Sequence, residues 1–316
     1  MKLYLYLNMK KIVIIAILWI AIFQANGQTA IEFFKRGIEK ENNADSEAAI
    51  KEYSKAIQLD STFSEAYFNR AIMLMTSLSP QRLNRAALDL DIAIKLNPYS
   101  NAKAYYARAT LYSFEEGNDN VVIFVCNKAI KINPSYSEAY LLRGASKSNL
   151  KDYKGALEDF EKAIQINPNY TEAYFRMGNI KTELNDDKGA ISDFTKAIQL
   201  GPDGYKFYNR GLAKFRLEDY RGAILDFTNA IELINPKNGK AYKVRGLCKS
   251  KLGDYRGAIV DYSEVIELNP KDGEAFYLRG ISKFMLKDKN SGCLDLSKAG
   301  ELGYEEAYDN IKKYCN

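Results

Sequence analysis

Prolines recur at nearly constant intervals along most of this 316-residue chain. The steps between them are 36, 34, 34, 34 and 34 residues, and the series is Pro98, Pro134, Pro168, Pro202, Pro236 and Pro270. A fixed period of this length indicates one supersecondary unit copied along the chain, and such copies stack on one another into a solenoid. The period therefore favours a protein that holds a partner over an enzyme.

Each copy is predicted to contain two helices. In residues 137–170, apolar and small side chains recur three and four residues apart in both halves. Tyr140 and Gly144 belong to the first half, and Phe160 and Ala163 belong to the second. This spacing places the side chains on one face of a helix, so that each half can pack against the other. The polar segment between the halves is predicted to be a turn.

The ends of the helices carry their own signals. Pro168 follows the second helix of this copy and blocks its continuation. Ser137 and Thr171 open successive copies, and we expect their hydroxyls to cap the first helices.

The chain divides into eight such copies, with position 1 as the first residue of each. The predicted repeats lie near residues 30–63, 64–101, 102–136, 137–170, 171–203, 204–238, 239–272 and 273–303. Position 4 is aromatic throughout: Phe33, Tyr67, Tyr105, Tyr140, Tyr174, Phe207, Tyr242 and Phe276. Position 8 is always small: Gly37, Ala71, Ala109, Gly144, Gly178, Gly211, Gly246 and Gly280. Glycine in a helix interior destabilises the helix by about 1 kcal/mol relative to alanine. Its recurrence at position 8 therefore predicts a close approach of the second helix.

This pattern resembles the tetratricopeptide repeat, which has an aromatic at position 4, small residues at positions 8, 20 and 27, and proline near position 32. The resemblance covers residues 28–303 and implies an all-α, right-handed superhelical solenoid of helix-turn-helix units. It also implies that the first helices line a concave groove that binds a protein or peptide. Because the end of a solenoid exposes an apolar face, residues 304–316 are expected to form a C-terminal capping helix, with Tyr304, Ala307, Tyr308 and Ile311 on one face.

The resemblance also indicates which side chains line the groove. Six of the eight residues at position 5 are aromatic, which predicts an interaction surface unless neighbouring helices cover the rings. The predicted groove residues are Phe34, Phe68, Asn69, Tyr106, Phe175, Asn179, Tyr208, Asn209, Lys240 and Tyr277. Asn179, Asn209 and Lys240 match part of the clamp that some members of the family use for a terminal carboxylate. Phe175 and Val244 stand where that clamp needs Lys and Arg, so the clamp is incomplete.

Arginine at position 7 recurs together with an acidic residue at position 23. The arginines are Arg36, Arg70, Arg108, Arg143, Arg210, Arg245 and Arg279. The acidic residues are Glu52, Asp89, Asp159, Asp193, Asp226, Asp261 and Asp295. The fixed spacing predicts a ladder of ion pairs that connects the helices. The ladder is broken in repeat 3, where Val125 replaces the acid, and in repeat 5, where Met177 replaces the arginine.

The first 27 residues are predicted to be a signal peptide rather than part of the fold. Lys10 and Lys11 precede an apolar run from Ile12 to Phe23, which is too short for a membrane-spanning helix, and we expect cleavage before Gln28. The alternative is an uncleaved anchor. Cleavage would give an exported protein, periplasmic or secreted, with no membrane span after signal removal.

Export would permit disulfides. Cys293 lies early in the second helix of repeat 8 and Cys315 lies at the end of the cap, so an antiparallel hairpin would bring them together. The alternatives are a Cys293–Cys315 disulfide or two free thiols. Cys126 and Cys248 are interpreted as small core residues.

Composition argues against several functional classes. The chain contains no histidine, which excludes Ser-His-Asp and Cys-His catalysis, and its four cysteines are too scattered for a metal site. The formal charge is +5, of which the predicted signal peptide supplies three lysines, so nucleic-acid binding is not expected. We therefore expect no cofactor, no metal and no catalytic residue, and a protein or peptide partner. The alternatives are self-association as a homo-oligomer and an enzyme using groove carboxylates such as Glu138 and Glu172.

Overall fold

The computed structural model describes residues 29–77, 79–233 and 239–315, and within these ranges it contains helices and no strand. The predicted signal peptide, residues 1–27, lies outside the described residues. Helix α1 covers residues 29–42. The other helices are α2 Ser46–Leu59, α3 Ser64–Met75, α4 Pro80–Leu96, α5 Ala102–Ser113, α6 Asp119–Ile132, α7 Ser137–Asn149, α8 Tyr153–Ile166, α9 Thr171–Glu183, α10 Asp187–Leu200, α11 Gly204–Arg216, α12 Tyr220–Leu233, α13 Gly239–Lys251, α14 Tyr255–Leu268, α15 Gly273–Met285, α16 Lys289–Glu301 and α17 Glu306–Tyr314.

The described part of the chain forms two compact units that divide between residues 162 and 163. In the first unit each helix from α2 to α6 packs against the next one along the chain. In the second unit the same holds from α9 to α16, which packs against α17. Short turns join the helices, so neighbours run antiparallel, and both units consist of stacked helix pairs as the periodicity predicts. Repeat 2 departs from the others because α4 has 17 residues, whereas α2 and α6 have 14.

The prediction that Ser137 and Thr171 cap the first helices is wrong. Helices α7 and α9 begin after Tyr136 and Tyr170, and neither start carries a side-chain cap hydrogen bond. The Ser137 hydroxyl donates instead to Glu138. Side-chain caps occur mainly at second helices, where an aspartate accepts from the third backbone N–H along, as in Asp45, Asp186, Asp254 and Asp288.

The turn inside the repeat places one residue in the left-handed region. The residues at this point are Ala44, Lys151, Asn185, Glu218, Gly253 and Lys287, with φ between 57° and 80°. Glycine occupies this conformation without strain, whereas the other residues do so at some cost. The tight turn lets the second helix fold back immediately after the first.

Glycine at position 8 has a specific steric reason. In five repeats an added Cβ would lie within 3.0 Å of the aromatic ring at position 24 of the same repeat. The glycine–ring pairs are Gly37–Tyr53, Gly144–Phe160, Gly178–Phe194, Gly211–Phe227 and Gly246–Tyr262. All five rings are fully buried. In repeats 2 and 3 position 8 is alanine, and position 24 is then the smaller Leu90 or Cys126. The two positions therefore share one volume.

The predicted ion-pair ladder is confirmed. Five arginines bind a buried aspartate through two nitrogens at 2.5 to 3.0 Å, and the pairs are Arg70–Asp89, Arg143–Asp159, Arg210–Asp226, Arg245–Asp261 and Arg279–Asp295. Arg36 approaches Glu52 at 3.7 Å. In several repeats a lysine also binds the aspartate, as Lys147 binds Asp159 at 2.8 Å.

The arginine connects three helices. Besides its own second helix, it donates from Nη1 to a polar side chain on the second helix of the preceding repeat, as Arg245 does to Thr228 at 3.0 Å. Burial lowers the pKa of Arg143, but the hydrogen bond and negative charge of Asp159 outweigh burial, so that the net pKa is raised. These arginines are part of the scaffold, and their charge is already paired.

The C-terminal end is held by several contacts. Cys293 and Cys315 form a disulfide that joins α16 to the residue after α17. Helix α17 is shorter than the predicted segment because Tyr304 lies before it and packs on Tyr277, with ring centroids 4.9 Å apart. Ala307 is buried, and the Tyr308 hydroxyl donates to the Gly300 carbonyl at 2.9 Å. Among the described helices, none has the length and apolar character needed to cross a bilayer.

Candidate functional site

The aromatic residues at position 5 are half-buried rather than open to solvent. Each of five rings contacts another ring, and the pairs are Phe34–Phe63, Tyr106–Tyr136, Phe175–Phe194, Tyr208–Phe227 and Tyr277–Tyr304, with centroids 4.7 to 5.8 Å apart. Tilted and edge-on ring contacts of this kind stabilise a core. The stripe is therefore partly covered by its neighbours, which reduces the apolar surface that the sequence pattern predicts.

In the first unit, two predicted residues lie around Tyr53. The Phe34 ring lies 5.6 Å from the Tyr53 ring, and the Asn69 amide donates to the Tyr53 hydroxyl at 3.3 Å. That hydroxyl donates to Glu41 at 2.6 Å. Phe68 packs on a separate core cluster, whose members include Ala66 and Leu90, and Phe34 packs on that cluster as well. These contacts hold the side chains in place, so the cluster is mainly structural.

Tyr106, the fourth predicted residue of the first unit, lies on α5 and contacts Tyr136. Burial raises its pKa above the ordinary value for tyrosine. Its phenol therefore stays neutral at physiological pH.

In the second unit the structure brings four predicted residues together on α9 and α11. The Asn209 amide nitrogen donates to the Asn179 side-chain oxygen at 3.4 Å. Phe175 and Tyr208 precede these asparagines on the same helices, and their rings pack on Phe194 and Phe227. Burial raises the pKa of Tyr208, so this phenol is also neutral. We call the surface formed by Phe175, Asn179, Tyr208 and Asn209 the paired-asparagine face.

The chemistry of the paired-asparagine face suits an uncharged polar ligand. Each asparagine side chain has two donors and one acceptor oxygen, and their mutual hydrogen bond uses one donor and part of one acceptor. The remaining groups can bond peptide N–H and C=O groups, while the rings offer apolar contact. Nearby on α9, Arg176 pairs with Glu172 at 2.7 Å, so these charges compensate each other.

The two remaining predicted residues lie on later helices of the second unit. Lys240 is exposed near the start of α13. Tyr277 lies on α15, where its hydroxyl accepts a hydrogen bond from Asn310 at 3.2 Å.

Lys243, the one lysine at position 5, is already ion-paired with two carboxylates. Its ammonium lies 2.8 Å from both Asp272 and Glu274. Burial lowers the pKa of Lys243, but hydrogen bonds and charges of these two carboxylates more than compensate, so the net pKa is raised. Lys243 therefore stays charged and engaged, which leaves it poorly suited to grip a ligand carboxylate.

Sequence reasoning missed Tyr205 as a candidate. This residue stands at position 2 of repeat 6, one turn before Tyr208 and Asn209 on α11, and 65% of it is exposed. Position 2 is among those that the family resemblance directs into the groove, so the signal was present in the sequence. Within the described residues, no group of three or more acidic or cysteine side chains is arranged to hold a metal ion.

Comparison with known proteins identifies the repeats. Models described as the tetratricopeptide repeat match residues 137–170, 171–203 and 239–272. RNA polymerase II-associated protein 3 of Xenopus tropicalis is 30% identical over 125 residues, which are 40% of this chain and 16% of that protein. The matched segment thus spans well under two thirds of the relative.

Solved structures show the same fold. The crystal structure of YrrB, a TPR protein with an unusual peptide-binding site, is 25% identical and superposes with a TM-score of 0.56, covering 59% of this chain and 97% of YrrB. PilW, a type IV pilus biogenesis factor, is 15% identical with a TM-score of 0.56, covering 65% of this chain and 93% of PilW. MamA from Desulfovibrio magneticus is 22% identical with a TM-score of 0.50, covering 54% of this chain and 97% of MamA. The fold is an all-α tetratricopeptide solenoid, and the repeats support a protein–protein interaction scaffold.

Proposed function

We propose that this protein is a non-enzymatic scaffold that binds a peptide segment of a partner protein on the paired-asparagine face. The carrying observation is the hydrogen bond between Asn209 and Asn179, which sets two amides side by side on adjacent first helices. An extended peptide lying across α9 and α11 would bond these amides through its backbone. Its side chains would contact the half-buried rings of Phe175 and Tyr208. Binding involves no covalent step.

The solved relative YrrB supports this reading, because it combines the same fold with a peptide-binding site. Amides that bond the peptide backbone select an extended conformation and do not distinguish one sequence from another. Specificity would then come from exposed side chains at the rim, of which Tyr205 is the largest on α11.

Site-specific photo-crosslinking tests this placement. A benzoylphenylalanine at Tyr205 is compared with one at Leu225 on α12, since the two residues are 65% and 67% exposed. In cells that produce the protein at its native level, we expect a discrete partner adduct from position 205 and none from position 225. Equal adducts from both positions, or an adduct from position 225 alone, would place the partner elsewhere.

Self-association is the alternative use of the same surface. Light scattering on the purified chain at micromolar concentration separates the two readings. A monomer favours a different partner. A stable dimer that the Asn179→Ala/Asn209→Ala substitutions dissociate would instead assign the face to a second copy.

We also propose that the protein is exported, with residues 1–27 removed. The Cys293–Cys315 disulfide supports export, because disulfides persist in oxidising compartments and are rare in reducing ones. Intact-mass measurement of protein recovered from the periplasm or medium should give a chain that starts at Gln28. A protein found only in the cytoplasm with its N-terminal segment retained would refute the proposal.

A further inference from the structure

The first unit contains a cleft that lies away from its position 5 side chains. It has a volume of about 460 Å³ and is formed by the loop after α4, the start of α5 and the end of α6. The lining residues are Pro98, Tyr99, Tyr105, Lys128, Lys131 and Ile132. We call this site the Tyr99 cleft. Its volume is within the range of small-molecule sites.

A break in the ion-pair ladder leaves the Tyr105 ring, which forms one wall of this cleft, without an arginine over it. In six repeats the arginine at position 7 lies over the ring at position 4 of its own repeat, at 4.1 to 5.6 Å. In repeat 3, Val125 replaces the acidic partner. Arg108 bonds Asp91 at 2.8 Å instead, and its guanidinium lies 4.1 Å over Tyr112. Among the described residues no cation lies over the Tyr105 ring.

The charge of the cleft is positive and uncompensated. Lys128 and Lys131 are exposed, and within the described ranges neither forms an ion pair with a carboxylate. The Lys128 ammonium lies 5.2 Å from the centre of the Phe124 ring, which is itself 60% exposed. No acidic residue lines the cleft. Both lysines are therefore exposed without a carboxylate partner in the described part of the chain, and the Lys128 ammonium lies beside an aromatic ring.

Neighbouring repeats do not carry this combination. Ser135 and Asn169 occupy the place of Tyr99 in repeats 4 and 5, and Gln165 and Gln199 occupy that of Lys131. Lysine at the Lys128 position is common, since repeat 5 has Lys196 there. The features particular to repeat 3 are thus the second lysine and the exposed Tyr99 ring. The missing position 7 arginine over the position 4 ring is shared with repeat 5, where Met177 replaces it.

We propose that the Tyr99 cleft binds a small phosphate monoester that carries a flat ring. A phosphate monoester has close to two negative charges at neutral pH, which matches two ammonium groups. Each lysine can donate charge-assisted hydrogen bonds to phosphate oxygens. The ring of the ligand would lie against the exposed Tyr99 ring, because aromatic rings attract one another in offset or edge-on arrangements. This site is separate from the paired-asparagine face and does not depend on the function proposed for that face.

Calorimetric titration of the full chain with phenyl phosphate tests the proposal, with inorganic phosphate and phenol as comparison ligands. We expect saturable binding of phenyl phosphate that is tighter than that of either comparison ligand. The Lys128→Met/Lys131→Met variant should bind phenyl phosphate about tenfold more weakly or worse, since charged hydrogen bonds are lost. Lys196→Met, at the corresponding position of repeat 5, should bind as the unchanged chain does.

Tyr99→Ala gives a second, independent readout. Tyr99 is 90% exposed, so its removal should leave the fold intact, which circular dichroism checks. This variant should lose the preference for phenyl phosphate and retain the affinity for inorganic phosphate. The proposal is overturned if phenyl phosphate shows no saturable binding in the millimolar range, or if the double lysine variant binds it unchanged. It is also overturned if inorganic phosphate or phenol binds the unchanged chain as tightly as phenyl phosphate.

Discussion

At the scale of single residues, the fold depends on a buried aspartate that is surrounded by cations. In five repeats the aspartate on the second helix accepts two hydrogen bonds from the arginine of the first helix. Removing such an aspartate would leave its cations unpaired in a poorly hydrated environment. Removing the carboxylate of an exposed pair costs little, because water hydrates the remaining cation.

Asp159 and Asp91 provide a matched comparison within the first unit. The Asp159 side chain is 4% exposed and binds Arg143 and Lys147, whereas that of Asp91 is 54% exposed and binds Arg108. We expect Asp159→Ala to lower the free energy of unfolding by about 3–5 kcal/mol and Asp91→Ala by less than about 1 kcal/mol. Urea unfolding followed by circular dichroism measures both. Similar losses in the two variants would show that the buried pairs are not what connects the helices.

The shared volume of positions 8 and 24 yields a second prediction. A Cβ on Gly178 would lie 2.5 Å from Phe194 Cε1, so Gly178→Ala should destabilise the second unit by about 1–3 kcal/mol despite the better helix propensity of alanine. Phe194→Leu should recover much of that loss in the double variant, because Ala71 and Leu90 already form this combination in repeat 2. Melting curves of the single and double variants measure the effect.

Gly239→Ala is the control for this experiment. Its added Cβ would meet nothing closer than 3.9 Å outside its own helix and chain neighbours, so this variant should melt near the temperature of the unchanged protein. If Gly178→Ala is as stable as Gly239→Ala, the ring does not determine the glycine.

The sequence predicts the arginine–aspartate pairs from spacing alone, because both partners recur at fixed positions in one repeat. The sequence does not predict which carboxylate pairs with Arg108 in repeat 3, where Val125 replaces the acidic residue. The observed partner, Asp91, lies in the preceding repeat. The capping prediction also fails because a side chain bonds a group on another helix. A hydroxyl at position 1 suits a cap, but in repeat 2 the Ser64 hydroxyl instead donates to the Ala93 carbonyl at 3.1 Å.

At the scale of elements, the helical periodicity predicts each helix hairpin. The C-terminal helix α17 depends most on contacts outside itself for its stability. It has nine residues, and isolated helices of that length are marginal in water. The Cys293–Cys315 disulfide closes a loop with a sequence separation of 22, and in the chain-entropy model such a loop contributes roughly 3 kcal/mol.

We therefore expect Cys293→Ser/Cys315→Ser to loosen α17 selectively. Hydrogen exchange followed by mass spectrometry should show faster exchange in residues 306–314 and unchanged exchange in α9 to α12. Adding a reductant should change the exchange of the unchanged chain in the same way and leave that of the double variant as it was. Uniformly faster exchange throughout the second unit would mean that the disulfide stabilises the whole unit rather than its last helix.

At the scale of the whole molecule, the proline period predicts the stack of helix pairs, but it carries no mark of the division into two compact units at residue 162. The division falls inside repeat 137–170, which follows the same pattern as repeat 171–203, so spacing alone gives no boundary. The candidate site was predictable only in part. Position 5 identified Phe175 and Tyr208, but their coverage by Phe194 and Phe227 depends on packing between helices, which spacing does not report.

The central claim is that the paired-asparagine face binds an extended peptide, and the most direct test is peptide affinity measured on matched variants. Peptides are selected from a random display library on the full chain, and their binding is measured by calorimetry. We expect Asn179→Ala/Asn209→Ala to weaken the selected peptides about tenfold or more, because several hydrogen bonds to the backbone are lost. Asn229→Ala on α12, whose amide donates to the Leu225 carbonyl of its own helix, should bind as the unchanged chain does. Peptides that bind the double variant as tightly as the unchanged chain, or a library that yields no binder, would contradict the claim.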